Sequence, residues 1–336
     1  MFFEKKFGID LGSDTVKVYS LFRNKIFTAH NRIAYSGRQI IAVGSEAYEM
    51  EEKTPADVIV TSPMEAGTFS NLEFQEILLY RMMLYQDRFW STGSLVLFAV
   101  PPDLSALERR AYYQIANGFW LKRCKVYLVE APIAEALGME IPFEESVGVI
   151  LVNIGDQTSR LSILSNGRLI MSRMIPIGGW HINEAIIQEI RRRYHIQVGK
   201  KTAQWLKLAM GRLADQRKDS RQVVGIDSVS GLPREEVVSS YVVNAGIMNC
   251  INELGAQMKV FLERMPPQIS YQVTREGIYL SGGSARIPYI DRYLASYTGV
   301  TFNPSRLYEN TAVSGLEKLL HEKDKEHYLR LVDRKK

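Results

Sequence analysis

Cysteine is scarce: Cys124 and Cys250 are the only two in 336 residues. Both sit in apolar stretches, and they form neither a metal-ligand spacing nor a disulfide framework. Two buried thiols in a reducing compartment are expected. No apolar run reaches the ~18 residues that a membrane-spanning helix needs. The opening MFFEKKFGID carries too short an apolar stretch for a secretory leader, so residence in the cytoplasm is expected. A strong charge of one sign is also missing, because 42 Lys and Arg against 37 Asp and Glu leave +5. That surplus is too small to argue for a nucleic-acid partner, and none is expected. It fits a mild attraction to an anionic membrane surface equally well. The 46% apolar and 24% charged residues are those of a globular chain, long enough for two domains or two lobes sharing a cleft.

The stretch Phe7–Phe22 opens as a strand, turns at Gly12–Asp14 and returns as an alternating strand, with Lys17 opposite Val16 and Val18. Arg38–Met50 reads as a strand running into a short helix, and Leu72–Arg88 as a helix with Phe74, Ile77, Leu78, Met82 and Tyr85 at helical spacing. Ser94–Pro102 and Cys124–Pro132 are buried strands. Between them Ser105 and Glu108 form a capping box for a helix to about Asn117. After Glu144–Glu145 the pattern restarts. Val147–Gly179 predicts three strands joined by turns at Asp156 and at Asn166–Gly167, the latter a hairpin signal. The two strand–turn–strand openings, at Gly8 and Gly148, amount to a weak internal duplication. Helices follow at Asn183–Tyr194, Thr202–Met210 and Ser240–Met265, the last stopped by Pro266–Pro267, with a hairpin before it. Gly277–Gly299 reads as strand, glycine turn and helix. The charged tail from His321 is expected to be a solvated helix or frayed end.

These residues carry a resemblance. Two strand–turn–strand loops, a Gly-Gly connection before a helix and a strand–SGGSAR–helix turn occur in this order in the actin and seventy-kilodalton heat-shock chaperone superfamily. More narrowly, GIDLGSDTVKVY, AVPPDLSALERRA, VEAPIAEALG, IPIGGWHINEAIIQEIRRRY and ERMPPQISYQVTREGIYLSGG resemble the MreB family of bacterial actins. The matching stretches run from about Phe7 to Leu320. The resemblance implies an α/β, actin-like ATPase fold of two lobes and four subdomains around a nucleotide cleft. The first lobe would span 1–144, with a small subdomain at about 25–64. The second would span 145–314, with a small subdomain at about 181–239. A C-terminal helix and charged tail, 315–336, would return to the first lobe. Each large subdomain would hold a five-stranded sheet.

The resemblance also assigns residues. The first phosphate turn would be Asp10, Gly12, Ser13, Asp14 and Thr15, with Asp10 near magnesium through water. The second would be Gly155, Asp156, Gln157 and Thr158. Gly178, Gly179, Gln204, Lys207, Gly282, Gly283 and Ser284 complete the expected contacts to ATP. A phosphate turn works through backbone N–H groups that converge on an anion, and at several of these positions the chain departs from the family. Asn153 replaces an acid that helps hold the hydrated metal. Asp156 and Gln157 replace glycines, restricting positive φ and filling the approach to the phosphate. A carboxylate ~4 Å from one phosphate charge costs about 4 kcal/mol at an effective dielectric of 20. Ala131 replaces the Glu that positions the attacking water, a loss of about 10²–10⁴-fold in rate. Trp180 replaces another acid, Gln204 a ribose-binding Glu and Ser284 a third glycine. No catalytic residue is assigned, and hydrolysis is expected to be weak or lost.

For the MreB family, membrane binding through an N-terminal apolar segment or an apolar loop is implied. Met1, Phe2 and Phe3 followed by Lys5 and Lys6, and Phe89–Trp90 beside Arg88, suit interfacial anchoring. The expected protein is cytoplasmic and peripheral on the inner face of the membrane. It acts in cell shape, assembling with itself or a related MreB-type protein and engaging the cell-wall elongation machinery. Two other readings stay open: an active ATPase in which Asp156 or Glu130 takes over metal or water contacts, and a non-polymerising actin-fold adaptor.

Overall fold

Strands Lys6–Leu11 (β1) and Thr15–Ser20 (β2) form an antiparallel pair. Their inward residues Ile9, Val16 and Val18 are fully buried. The computed structural model describes residues 5–86, 93–118, 124–214 and 218–332. The described residues of Met1–Pro142 and Asn310–Lys336 form one compact unit, and Phe143–Glu309 forms a second.

In the first unit β2 continues antiparallel into Lys25–His30 (β3). A small sheet follows, built from Ile33–Ser36 (β4), Gln39–Val43 (β5) and, after helix Ser45–Met50 (α1), Ile59–Thr61 (β6). Met64–Glu65 (β7) and Thr68–Phe69 (β8) make a two-stranded ribbon ahead of helix Leu72–Gln86 (α2). Gln75, Leu78, Leu79, Met82 and Met83 of α2 are buried, a stripe at helical spacing. Leu95–Val100 (β9) lies parallel to β1, and Lys125–Glu130 (β10) parallel to β9. The near-continuous apolar run of β9 is that of a central parallel strand covered on both faces.

Between them, helix Ala106–Asn117 (α3) starts on the expected capping box. Ser105 Oγ accepts from Glu108 N–H at 3.2 Å, and the Glu108 carboxylate accepts from Ser105 N–H at 2.8 Å. Such a cap is worth ~1 kcal/mol. Helix Ala131–Gly138 (α4) closes this part.

The second unit repeats the opening. Val149–Ile154 (β11), Ser159–Ser165 (β12) and Arg168–Ile175 (β13) are successive antiparallel strands, turning at Asp156 and at Asn166–Gly167. Helix Gly179–Tyr194 (α5) begins four residues before the predicted Asn183, at the Gly-Gly pair, and buries Ile182, Ile186, Ile187 and Ile190. Ile196–Gln197 (β14), helix Lys200–Met210 (α6), Ser220–Asp227 (β15) and Pro233–Ser239 (β16) form the small part of this unit, a sheet ordered β14-β15-β16.

Helix Ser240–Glu263 (α7) packs on α5 and is followed by Pro267–Glu276 (α8). The predicted stop at Pro266–Pro267 holds for α7. Pro267 then opens a new helix, where its missing N–H has no cost. Ile278–Ser281 (β17) lies parallel to β11, Ile290–Thr298 (α9) follows, and Phe302–Pro304 (β18) lies parallel to β17. The sheet order is β13-β12-β11-β17-β18.

Helix Thr311–His321 (α10) then packs against α4 and β1 in the first unit. The tail is helical over Lys323–Tyr328, a short 3-10 segment, and only then departs from expectation. Arg330–Val332 (β19) is neither a helix nor a frayed end within the described residues, but pairs antiparallel with β10. The first sheet therefore has six strands, β19-β10-β9-β1-β2-β3, where five were expected. Cys124 is buried and Cys250 only partly so, and burial pushes their thiols up to about 12 and about 11, so both are protonated at neutral pH.

Candidate functional site

The β1–β2 and β11–β12 turns are built alike. In the first, Gly12 N–H donates to Thr15 O at 3.0 Å, and in the second Gly155 N–H donates to Thr158 O at 3.0 Å. Two residues outside each glycine and threonine, Asp10 faces Lys17 across the first hairpin and Asn153 faces Arg160 across the second. Lys17 is buried on the second covered face of β2, and its Nζ lies 3.2 Å from the Asp10 carboxylate. In the second turn the matching pair has lost its anion: Asn153 is neutral, and Arg160 donates to Ser172 Oγ at 3.0 Å. Magnesium is held by one or two carboxylates together with phosphate oxygens. Asp10 is the one carboxylate at these two matched positions, already facing a cation.

Asp14 does not stand over the first turn as a bare charge. Its carboxylate lies 3.5 Å from Arg32 Nη2 and 3.7 Å from His30 Nδ1. The His30 ring stacks on Tyr48 with centroids 3.7 Å apart. Burial pushes the Asp14 carboxyl up, but the His30 contact and the charges of Arg32 and Lys17 outweigh it and hold it below the ordinary carboxylate range.

The second turn takes a backbone that its non-glycine residues allow. Neither Asp156 nor Gln157 is among the residues with positive φ. This turn therefore needs no glycine at those positions, and the two side chains impose no backbone strain. What the turn needs is close approach from α5. Gly155 O accepts from Gly179 N–H at 2.9 Å, and Asp156 O accepts from Trp180 N–H at 2.7 Å. A Cβ on Gly178 would meet Asp156 O at 2.4 Å, so only glycine fits there. Ser284 Oγ donates to Gly155 O at 3.3 Å from the turn after β17. There Gly282 has φ +93, and a Cβ on it would meet Ile154 O at 2.4 Å.

Several predicted residues converge on one point, the place a Cβ on Gly179 would occupy. Ser284 Oγ lies 3.0 Å from it, Lys207 Nζ 3.4 Å and Asp156 Oδ1 3.6 Å. Lys207 is buried, and its ammonium donates to Gly179 O at 3.1 Å. Asp156 thus places its negative charge at the N-terminal end of α5 beside a lysine, where a helix dipole and a cation both favour an anion. Gln204 lies one turn before Lys207 on α6, half-buried. Gly283 opens the short 3-10 turn Gly283–Arg286. Trp180 remains partly exposed, with its ring over Lys200 Nζ at 5.5 Å and edge-on to His181 at 4.9 Å.

In the first unit, Ala131 is the first residue of α4, where no side chain can orient water. Its neighbour Glu130 is engaged elsewhere. Arg330 Nη2 of β19 lies 2.6 Å from the Glu130 carboxylate, which is only 11% exposed. The tail strand thereby occupies the acid that could have replaced the missing one. Among the described residues, no cluster of three or more His, Cys, Asp or Glu could hold a metal ion. Met1, Phe2, Phe3, Phe89 and Trp90 lie outside the described residues.

Two antiparallel-then-parallel sheets, each opening with a glycine–threonine turn, define an actin-like fold. Solved structures agree. MreB5 of Spiroplasma citri bound to ADP superposes with a TM-score of 0.90 at 28% identity, covering 97% of this chain and 99% of that one. The same protein bound to AMPPNP gives 0.89 over 96% and 99%. A MamK double helical filament, at 18% identity, gives 0.78 and shares the fold. The family model described as MreB/Mbl protein matches residues 4–328, and the chain belongs to that family. Curated relatives include the cell shape-determining protein MreB of Escherichia coli K12, 27% identical over 89% of this chain and 88% of that relative. Mbl of Bacillus subtilis 168 is 27% identical over 87% and 89%.

The start of α5 carries a pH dependence. Gly178 N–H donates to His181 Nδ1 at 3.3 Å, which requires that nitrogen to be unprotonated. Burial lowers the His181 pKa, against the opposing charges of Glu253 and Glu184. The folded value then lies below the unfolded one, so the unfolded chain binds the extra proton. This part of the stability is present above about 6.5 and is lost as the pH falls from there through the folded value. Denaturant midpoints measured between pH 7.5 and 5.5 should fall, and His181→Asn, which keeps an acceptor but cannot be protonated, should flatten that slope.

Proposed function

We propose that this MreB/Mbl family member is a cytoskeletal protein of cell-shape determination that binds an adenine nucleotide but hydrolyses it weakly or not at all. The carrying observation is the state of two positions where the family has acids, and of the one neighbouring acid that could stand in for them. Asn153 is neutral, Ala131 has no polar group, and Glu130 is paired with Arg330. The last point weighs against an active ATPase that uses Glu130 as a substitute. Nucleotide binding is supported by the matched turns and by relatives described as bound to ADP and AMPPNP. When bound, the nucleotide would bring its own magnesium-ligating phosphate oxygens. Asp10 would contact that ion through water, and the turn N–H groups would orient the phosphates.

Self-assembly, or co-assembly with a related MreB-type protein, fits a fold shared with a double helical filament. Head-to-tail contacts propagate without closure. Such a filament would act with the cell-wall elongation machinery. Among the described residues no helix is long and apolar enough to cross a membrane, and the proposed attachment is peripheral. It is supported at the β2–β3 turn, where Phe22 is 63% exposed. Lys5 Nζ and the Arg23 guanidinium lie 5.8 and 5.7 Å from the Phe22 ring. This turn lies at the same sheet end as Lys5 and the start of β9, since Leu21 N–H donates to Lys6 O and Leu95 N–H to Lys5 O. The proposed anchors Phe2–Phe3 and Phe89–Trp90 adjoin those strand ends in sequence. Aromatic rings with cations beside them suit an anionic headgroup layer.

Two measurements test this reading. By titration calorimetry with magnesium, the wild type should bind ATP, and Asp156→Gly should bind it about tenfold or more tightly, because one carboxylate charge is removed. ATP affinity unchanged by that substitution would contradict the role given to Asp156. In sedimentation with phosphatidylglycerol vesicles, the wild type should pellet, and Phe89→Ser with Trp90→Ser should stay largely in the supernatant. Equal binding by both proteins would remove that loop as an anchor.

A further inference from the structure

We propose that Asn31, Arg32 and Ser62 are positioning residues that hold the first turn open as an anion cradle, making the small β4-β5-β6 sheet part of the phosphate site. The proposal rests on reading that turn as a nucleotide-phosphate contact. A tight turn offers amides to a ligand only when its peptide planes are fixed with their carbonyls on the other side. Each carbonyl of Gly12–Asp14 is taken. Asn31 Nδ2 donates to Gly12 O at 2.8 Å, and Asn31 N–H donates to Asp14 O at 2.7 Å. Between them, Ser13 O accepts from Arg32 Nη1 at 3.1 Å and from Ser62 Oγ at 2.9 Å. The single Ser62 proton has a second acceptor in Met64 O at 2.8 Å.

The donors come from two places: the link between β3 and β4, and the residue after β6. Arg32 does more than fill a carbonyl. The guanidinium that grips Ser13 O also lies 3.5 Å from the Asp14 carboxylate. The one acidic side chain of the turn is therefore held on the carbonyl side, away from an anion resting on the amides.

Asn31 is fully buried and also donates to Gln75 Oε1 of α2 at 3.1 Å. Yet Asn31 Oδ1 and Gln75 Nε2 are buried without a hydrogen bond among the described residues. Buried, half-satisfied amides are a poor way to stabilise a core. What Asn31 secures is both ends of the turn at once. The second turn is held differently, mostly by backbone N–H groups of α5. The first turn thus depends on the side chains of Asn31, Arg32 and Ser62, where the second takes one from Ser284.

The test is calorimetry with magnesium-ATP and with adenosine on the full chain, with thermal unfolding as a check on folding. Asn31→Ala should weaken ATP roughly tenfold, the scale of losing buried hydrogen bonds, and leave adenosine affinity unchanged. Ser62→Ala, at a half-buried site, should weaken ATP a few-fold, and Ser62→Thr should restore it. A structural role alone would lower ATP and adenosine affinity together, and that result overturns the proposal. So does folded Ser62→Ala that keeps the full preference for ATP over adenosine. A wild type with no preference for ATP over adenosine would overturn the reading of the turn itself, a failure separate from that of its bracing.

Discussion

A strand–turn–strand loop has amides on one side and carbonyls on the other, and it can serve an anion only if the carbonyl side is held. Both turns of this chain meet that constraint, each by its own means. In the second unit the hydrogen bonds come from the first N–H groups of α5, which sets the Gly178–Gly179 pair against the turn backbone, and from Ser284 Oγ. In the first they come from Asn31, Arg32 and Ser62. The two sheets, with their shared antiparallel-then-parallel order, serve to bring a turn and its support together.

On that preserved frame the charges have been rearranged. The first hairpin keeps an ion pair, Asp10 with Lys17, while the second has Asn153 in place of the acid. Asp156 adds a carboxylate, but against the start of α5 and near Lys207 rather than on strained backbone. Glu130 is neutralised by Arg330 from the strand that completes the first sheet. Asn153 and the Glu130–Arg330 pair leave fewer free acids at these positions, and the buried apolar residues of β1, β9, β11 and α5 are intact. In the proposed reading binding rests on the turns and turnover on Ala131 and Asn153, so one can persist without the other.

Local pattern made most of the frame legible. The alternation of β1 and β2, the apolar run of β9, the Ser105–Glu108 box and the Asn166–Gly167 hairpin are all short-range signals, and each gave the right element. What was not legible depends on distant partners. Nothing near Arg330 announces a strand, because its pairing with β10 reaches across some 200 residues of chain. Asn31, Arg32 and Ser62 sit in unremarkable links, and their partners in the turn lie 17 to 49 positions away. What faces each of these turns is set by the fold, which local sequence does not carry.

The central claim is that the cleavage machinery, not the frame, has been lost. It is tested most directly by steady-state phosphate release from ATP, comparing the wild type with a variant carrying Ala131→Glu and Asn153→Asp. Wild-type release should stay near background, and the variant should exceed it by about 10²-fold, the usual gain from a positioned general base. Wild-type turnover already as fast as that of the variant would contradict the account.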